Sequence, residues 1–264
     1  MSTDRKILIL TADAGFGHRS AANAVHEALI ETYGKHARVE IVNPLEDRRT
    51  PFFLRESQSD YDIIVRNLPE LYRFGYDASD ATLPAAIFER ALTVLLYEVL
   101  QDILKKHQPD AILTTYPLYQ APVQAIFTIQ RYSVPFLTAV TDLATVHRIW
   151  FHAGVHALLV PNEQVRDLAL TYHVPAKKIH ITGIPVHPVL AHEQRPKAEI
   201  RASLGWQPDL PTLLAVGSRR VGGMPEILNV INHFGTRLQM AVVAGKDEQL
   251  FEQLQHTEWH QPVH

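Results

Sequence analysis

The stretch Lys6-Ile7-Leu8-Ile9-Leu10-Thr11-Ala12 runs directly into a tight loop, Asp13-Ala14-Gly15-Phe16-Gly17-His18. The apolar run shows no alternation with polar residues, which suits a strand buried on both faces. After the loop, residues 20–33 place Ala21, Val25, Ala28 and Leu29 at helical spacing, and Gly34 closes the segment. Residues 38–42 form a second strand, stopped by Asn43-Pro44. Strand, glycine loop, helix and strand in that order point to an α/β protein with a parallel sheet.

The alternation continues after an interruption. Residues 85–106 read as a long amphipathic helix with Lys105, Lys106 and His107 at its C-terminal end, where the dipole favours cations. Strands follow at 111–115, 136–141, 157–160 and 179–182. Helices are expected at 121–130 and from a cap at Asn162 through Tyr172. The interruption, residues 45–83, is irregular and aromatic, with Phe52, Phe53, Tyr61, Tyr72, Phe74 and Tyr76. These rings either pack on the core or form an insertion facing a membrane or an acceptor. Prolines at 188, 196, 208 and 211 mark 188–211 as a linker. It separates a first domain, residues 1–187, from a second block, 212–264. That block supplies a strand (212–216), a loop (217–223), a helix (225–234), a strand (239–244) and a helix (247–255). With 264 residues and about 150 per domain, the length gives between one and two domains. Two strands and two helices are too few for a whole domain, so 212–264 is expected to be a partial one.

Cysteine is absent, which excludes disulfides and thiolate metal sites. Lys and Arg number 25 against 28 Asp and Glu, a net charge of −3 that argues against nucleic acid as a partner. The longest uncharged stretch, 111–130, holds Pro117, Pro122 and three glutamines, so it makes a poor bilayer helix. The expected location is the cytoplasm, with peripheral attachment to the inner face of the membrane left open.

Several groups could carry chemistry. Gly15 and Gly17 allow backbone to approach a ligand, and the following helix offers unpaired N–H groups. Ser20 stands where a dinucleotide G-x-G-x-x-G would need its third glycine. His18 falls at the end of the first strand, the edge where open α/β sheets bind ligands. A histidine with a pKa of ~6.5 can take a proton from a hydroxyl there, or it can simply cap the helix. Asp142 follows strand 136–141 at the same edge. With Thr141 it can orient His18 or bind an acceptor hydroxyl, or merely cap the next segment. His147, His152 and His156 surround Trp150 and Phe151, and the last two histidines have the i,i+4 spacing of helical zinc sites. No HExxH glutamate accompanies them and the segment is not a regular helix, so no metal is expected. Asp60-Tyr61-Asp62 has the form of a metal–diphosphate carboxylate pair but lacks a supporting strand. Gly217-Ser218-Arg219-Arg220-Val221-Gly222-Gly223 precedes a helix and suits a diphosphate, or is an ordinary βα loop.

The string Thr11-Ala12-Asp13-Ala14-Gly15-Phe16-Gly17-His18-Arg19-Ser20-Ala21-Ala22 resembles the Gly-x-Gly-His-x-Ser-Ala opening of the monogalactosyldiacylglycerol synthase and processive diacylglycerol glucosyltransferase family. The peptidoglycan N-acetylglucosaminyltransferase has a similar loop. Val140-Thr141-Asp142 with His147, Trp150 and Phe151, and Gly183-Ile184-Pro185-Val186, extend the resemblance over roughly residues 5–190. It implies a GT-B fold: a complete N-terminal Rossmann-like domain on the acceptor side and the beginning of a second, donor-binding one. It also implies inverting, metal-independent transfer of a hexose from a UDP-sugar to a lipid hydroxyl such as that of diacylglycerol, at a membrane surface and without a cofactor. His18 matches the proposed general base and Asp142 an acidic position near the acceptor. Gly15, Gly17, His147 and Trp150 match acceptor-side loops; Gly217 and Ser218, with Arg219 added, match the donor diphosphate loop. Three departures bear on which sugar and lipid are used. Tyr116-Pro117-Leu118 replaces His-Pro-Leu, His156 replaces a common Asp, and Gly217-Ser218-Arg219-Arg220 replaces a more glycine-rich loop. The family's glycine-rich segment and glutamate for the nucleotide have no counterpart after Gln255, so truncation and weak turnover are expected. The rival readings are a non-catalytic lipid- or nucleotide-binding module and a UDP-sugar epimerase-like enzyme of the same fold.

Overall fold

The computed structural model describes residues 4–14, 16–55, 82–217, 222–245 and 247–264. They fall into two compact units that divide in sequence between His192 and Glu193. In the first, β1 (Arg5–Leu10), α1 (Phe16–Tyr33) and β2 (Ala37–Val42) are followed by α2 (Thr82–His107), β3 (Ala111–Thr114), α3 (Gln120–Gln130) and β4 (Phe136–Ala139). β5 (Ala157–Val160), α4 (Glu163–Thr171), β6 (Ile179–Ile181) and the short α5 (Pro188–Ala191) complete it. The six strands form one parallel sheet in the order β2-β1-β3-β4-β5-β6. All six therefore end on one edge.

The unbroken apolar character of β1 follows from its central place. Leu8 and Leu10 enter the core that also holds Leu92, Leu96, Leu100 and Leu104, the every-fourth-residue stripe of α2. Ile9 enters the opposite core with Ala22 of α1 and Val39 of β2. Each fully buried leucine contributes about 2 kcal/mol by leaving water.

The structure moves some expected boundaries. α1 begins at Phe16 rather than at residue 20, so Gly17 and His18 lie in its first turn and not in the loop before it. Glycine's backbone freedom is costly in the middle of a helix and less so in a first turn, which its own N–H bonds do not yet hold. β4 stops at Ala139, and Val140 adds one further ladder bond, its N–H donating to the Leu159 carbonyl at 2.9 Å. Residues 52–55 form a helical turn with Leu54 buried and Phe52 and Phe53 67% and 61% exposed. The aromatic positions 61, 72, 74 and 76, and the Asp60–Asp62 pair, lie outside the described residues.

The second unit contains α6 (Lys197–Ser203), β7 (Thr212–Val216), α7 (Met224–Asn232), β8 (Gln239–Val243) and α8 (Glu248–His256). β7 and β8 pair in parallel. Residues 262–264 pair with β8 as well: the Met240 N–H donates to the Pro262 carbonyl, and the His264 N–H to the Met240 carbonyl, each at 2.9 Å. The expected linker, 188–211, is not a free segment. Its first residues form α5 against α1 in the first unit. Its last residues are tied down in the second, where Arg201 donates to the carbonyls of Gln207 (2.7 Å) and Leu210, and buried Gln239 donates to that of Gln207 (2.8 Å).

Candidate active site

His18 projects from the first turn of α1 at the edge where the strands end. Its Nδ1 lies 2.9 Å from the carbonyl oxygen of Thr115 and 2.9 Å from Oγ1 of Thr141. A carbonyl can only accept, so Nδ1 carries the proton and donates it. Nε2 then keeps its lone pair. Thr115 follows β3 and Thr141 follows β4, so two adjacent strands hold the ring. Thr115 is fixed in turn, its Oγ1 2.9 Å from Thr11 Oγ1 and 3.0 Å from the carbonyl oxygen of His18. Tyr116 packs edge-on against the imidazole at 5.0 Å between centroids, and Trp150 lies at 5.9 Å. Tyr116 thus forms one wall of the histidine's setting.

An ion pair spans the glycine loop. Arg19 donates from Nε and Nη2 to the two carboxylate oxygens of Asp13 at 2.7 and 2.8 Å, and Asn43 donates to the same carboxylate at 3.2 Å. The Arg19 hydrogen bond holds the Asp13 carboxyl below the usual carboxylate range, although partial burial opposes this. Asp13 is therefore ionised at neutral pH and the loop is closed by charge across its two ends. Sequence reasoning passed over this pair; the acid and the base flanking the glycines were its signal.

Asp142 makes no hydrogen bond to His18 among the described residues. Thr141, its neighbour, takes the orienting place. Asp142 Oδ2 instead accepts from the indole N–H of Trp150 at 2.8 Å. Trp150 is 1% exposed, and Gln120 donates to its carbonyl at 3.0 Å. His147, also buried, accepts the Ile149 N–H on Nδ1 at 3.2 Å and so caps the turn Arg148–Trp150. Trp150 and His147 are thus both buried, and Trp150 holds the Asp142 carboxylate. Gly17 is exposed, and a Cβ built there would meet nothing within 4 Å. Gly15 lies outside the described residues.

The other histidines of the 147–156 segment are also occupied by backbone. His152 Nδ1 accepts the Gly154 N–H at 3.1 Å, and His156 Nδ1 accepts the Phe136 N–H at 3.1 Å. Among the described residues no group of three His, Asp or Glu side chains is placed to hold a metal ion.

In the second unit, Gly217 is buried and its N–H already donates to the Val243 carbonyl at 2.7 Å, so that group is not offered to a diphosphate. The backbone there is closely packed: a Cβ would stand 2.7 Å from Leu250 Cδ2 and 3.2 Å from the Val243 oxygen, so a larger residue would push on both. Ser218 and Arg219 lie outside the described residues. Gly222 and Gly223 line a small open cleft with the first turns of α7 and α8.

A Rossmann-like parallel sheet whose first strand, glycine turn and histidine open the ligand edge, followed by a second α/β unit, defines the GT-B class of fold. A putative UDP-N-acetylglucosamine 2-epimerase from Listeria monocytogenes shares this fold: its solved structure matches 99% of this chain and 69% of its own, with a TM-score of 0.55 at 14% identity. The monogalactosyldiacylglycerol (MGDG) synthase family profile matches residues 18–186, and the chain belongs to that family. It is 30% identical to the probable chloroplastic monogalactosyldiacylglycerol synthase of Nicotiana tabacum, over 98% of this chain and 50% of that protein. It is 29% identical to the chloroplastic monogalactosyldiacylglycerol synthase of Spinacia oleracea, over 98% of this chain and 51% of that protein. The chain thus spans about half the length of these curated relatives.

Proposed function

We propose that this chain carries the acceptor-activating part of a glycosyltransferase that moves a hexose from a UDP-sugar to the hydroxyl of a diacylglycerol-type lipid, with inversion and without a catalytic metal. The observation that carries this reading is His18, protonated on Nδ1 by its geometry and leaving Nε2 as a base at the ligand edge. Nε2 takes the acceptor's proton as the acceptor oxygen attacks the anomeric carbon. The bond from that carbon to the β-phosphate oxygen breaks, and its electron pair leaves with UDP. The Thr115 carbonyl and the Thr141 hydroxyl stabilise the imidazolium that forms, in the way a buried acceptor steadies other catalytic histidines. The open space at Gly17 leaves room for the acceptor beside the ring. Asp142, held by Trp150, is the group that orients the acceptor or the sugar. Ser218 and Arg219 are assigned to the donor diphosphate on the family's pattern.

Exposed Phe52 and Phe53 support a membrane-surface approach to the lipid. Among the described residues no helix is long and apolar enough to cross a bilayer. The test is transfer from radiolabelled UDP-galactose or UDP-glucose to diacylglycerol in vesicles. A labelled lipid is the expected product. Conversion of the nucleotide sugar without any lipid would favour the epimerase-like reading instead. Vesicle binding that needs Phe52 and Phe53, with no transfer at all, would favour a lipid-binding module.

A further inference from the structure

At the other edge of the six-stranded sheet, where the strands begin, the first unit has a cavity of about 350 Å³. Lys6 of β1, Arg38 and Glu40 of β2, and Lys106, His107 and Pro109 at the end of α2 line it. It is separate from the His18 site by most of the length of β1, about 13 Å of strand from Lys6 to Leu10.

The charges there are arranged at a cost. Lys6 and Arg38 are direct partners in the β1–β2 register, so two cations project to the same side from adjacent strands about 4.8 Å apart. Like charges placed across a strand pair destabilise it. The one carboxylate among the described lining residues is already used. Glu40 Oε1 accepts from Arg38 Nε at 2.8 Å, and Oε2 pairs with His107 Nδ1. The His107 hydrogen bond, and then that of Arg38, holds the Glu40 carboxyl below its ordinary range despite some burial. Among the described residues no ion-pair or hydrogen-bond partner is present for the ammonium groups of Lys6 and Lys106. Lys106 gains from the negative end of α2, whereas Lys6 lies on a strand, where the nearby Asp110 carboxylate accepts its backbone N–H at 2.8 Å and pairs with Arg5. An anion would neutralise both lysines and use the N–H groups that Arg38 has left over.

We infer that this cavity binds a free, water-soluble phosphomonoester dianion, held by Lys6, Lys106 and Arg38, with Glu40 fixing the guanidinium. Its size suits a small molecule, and a dianion matches two ammonium groups that have no ion-pair partner among the described residues. This site is independent of the proposed transfer reaction.

The experiment is an amide NMR titration of the full chain at pH 7.5 with inorganic phosphate and with glycerol 3-phosphate, at constant ionic strength set by chloride. Saturable shifts are expected at residues 6–8, 38–40 and 106–109. Lys6→Ala/Lys106→Ala should weaken binding by about tenfold or more, the loss of two exposed charge contacts. Lys105→Ala/Lys177→Ala should leave it unchanged. Both lysine pairs are exposed, so folding is not at risk, and a melting temperature no lower than the parent's checks this. Shifts confined to residues 222–226, equal shifts with added chloride, or unchanged affinity in the Lys6/Lys106 variant would each overturn the inference. So would loss of binding to equimolar phosphatidylcholine–phosphatidylglycerol vesicles in that variant with no response to either phosphate, since the lysines would then serve a membrane surface.

Discussion

His18 and the histidines of the 147–156 segment use the same ring nitrogen in opposite ways. His18 turns Nδ1 toward the Thr115 carbonyl at 2.9 Å, whereas His147, His152 and His156 turn theirs toward backbone N–H groups at 3.2, 3.1 and 3.1 Å. A carbonyl demands a proton on Nδ1; an N–H demands a lone pair there. The first leaves a basic Nε2 and the others leave an Nε2–H. His187, which accepts from the Val189 N–H at 3.3 Å, belongs with the second group. The backbone around a histidine therefore decides whether it is a base or a cap. His18 stands where strand ends present carbonyls; His147, His152 and His187 stand at turn starts, where N–H groups lack partners, and His156, just before β5, meets the first N–H of β4.

The contrast predicts where each substitution is felt. His18→Gln should reduce lipid glycosylation by about 10²–10⁴-fold, the usual worth of a positioned general base, while UDP affinity stays the same. Its melting temperature should change little, because the ring is not holding an N–H in place. Turnover within tenfold of the parent would remove His18 as the base. His147→Ala should do the reverse. Loss of the cap and of a buried ring should cost about 2 kcal/mol and lower Tm by roughly 4–8 °C in calorimetry. His156→Ala, which leaves the Phe136 N–H without its partner, should cost about 1 kcal/mol in denaturant titration. If either cap variant melts like the parent, the division between base and caps fails.

The sequence supports some of this and hides the rest, for a physical reason. β1 and the α2 stripe are legible because burial on two faces or one leaves a periodicity in neighbouring residues. His18 is legible as a position, since it ends the first strand. Its orientation is not, because its two partners stand 97 and 123 residues away. The same holds for Gly217, whose glycine looks like phosphate chemistry in sequence. Leu250, 2.7 Å from the absent Cβ, supplies a steric reason from a different helix. The start of α1 and the pairing of 262–264 are missed because glycine and proline usually mark interruption. Here Gly17 sits in a first turn, and Pro262 uses only its carbonyl.

A finer variant separates the two partners of His18. Thr141→Val keeps the volume and removes one acceptor, while the Thr115 carbonyl still requires the proton on Nδ1. A loss of about 1 kcal/mol in transition-state stabilisation is expected, roughly fivefold in rate, with Thr141→Ser restoring it. Ring nitrogen shifts in ¹⁵N NMR should still report protonated Nδ1 at His18 and protonated Nε2 at His147 and His156. A switch of His18 to the other form would show that Thr141, not the carbonyl, sets the ring.

The smallest effect is expected at His152, and it tests the caps through protons alone. Burial lowers its pKa, and nearby Lys178 adds to this. In the unfolded chain a histidine titrates near ~6.5. Above that pH neither state binds the proton, so the neutral cap is intact. As pH falls below it, the unfolded chain takes a proton that the folded site refuses, and stability is lost until the pH passes the folded value. His152→Asn keeps an oxygen acceptor for the Gly154 N–H and removes the titration. Between pH 7.5 and 5.5 the melting temperature of the parent should therefore fall more steeply than that of this variant. Equal slopes would mean that His152 accepts a proton in the folded protein, and hence that its Nδ1 is not held by the backbone as a cap.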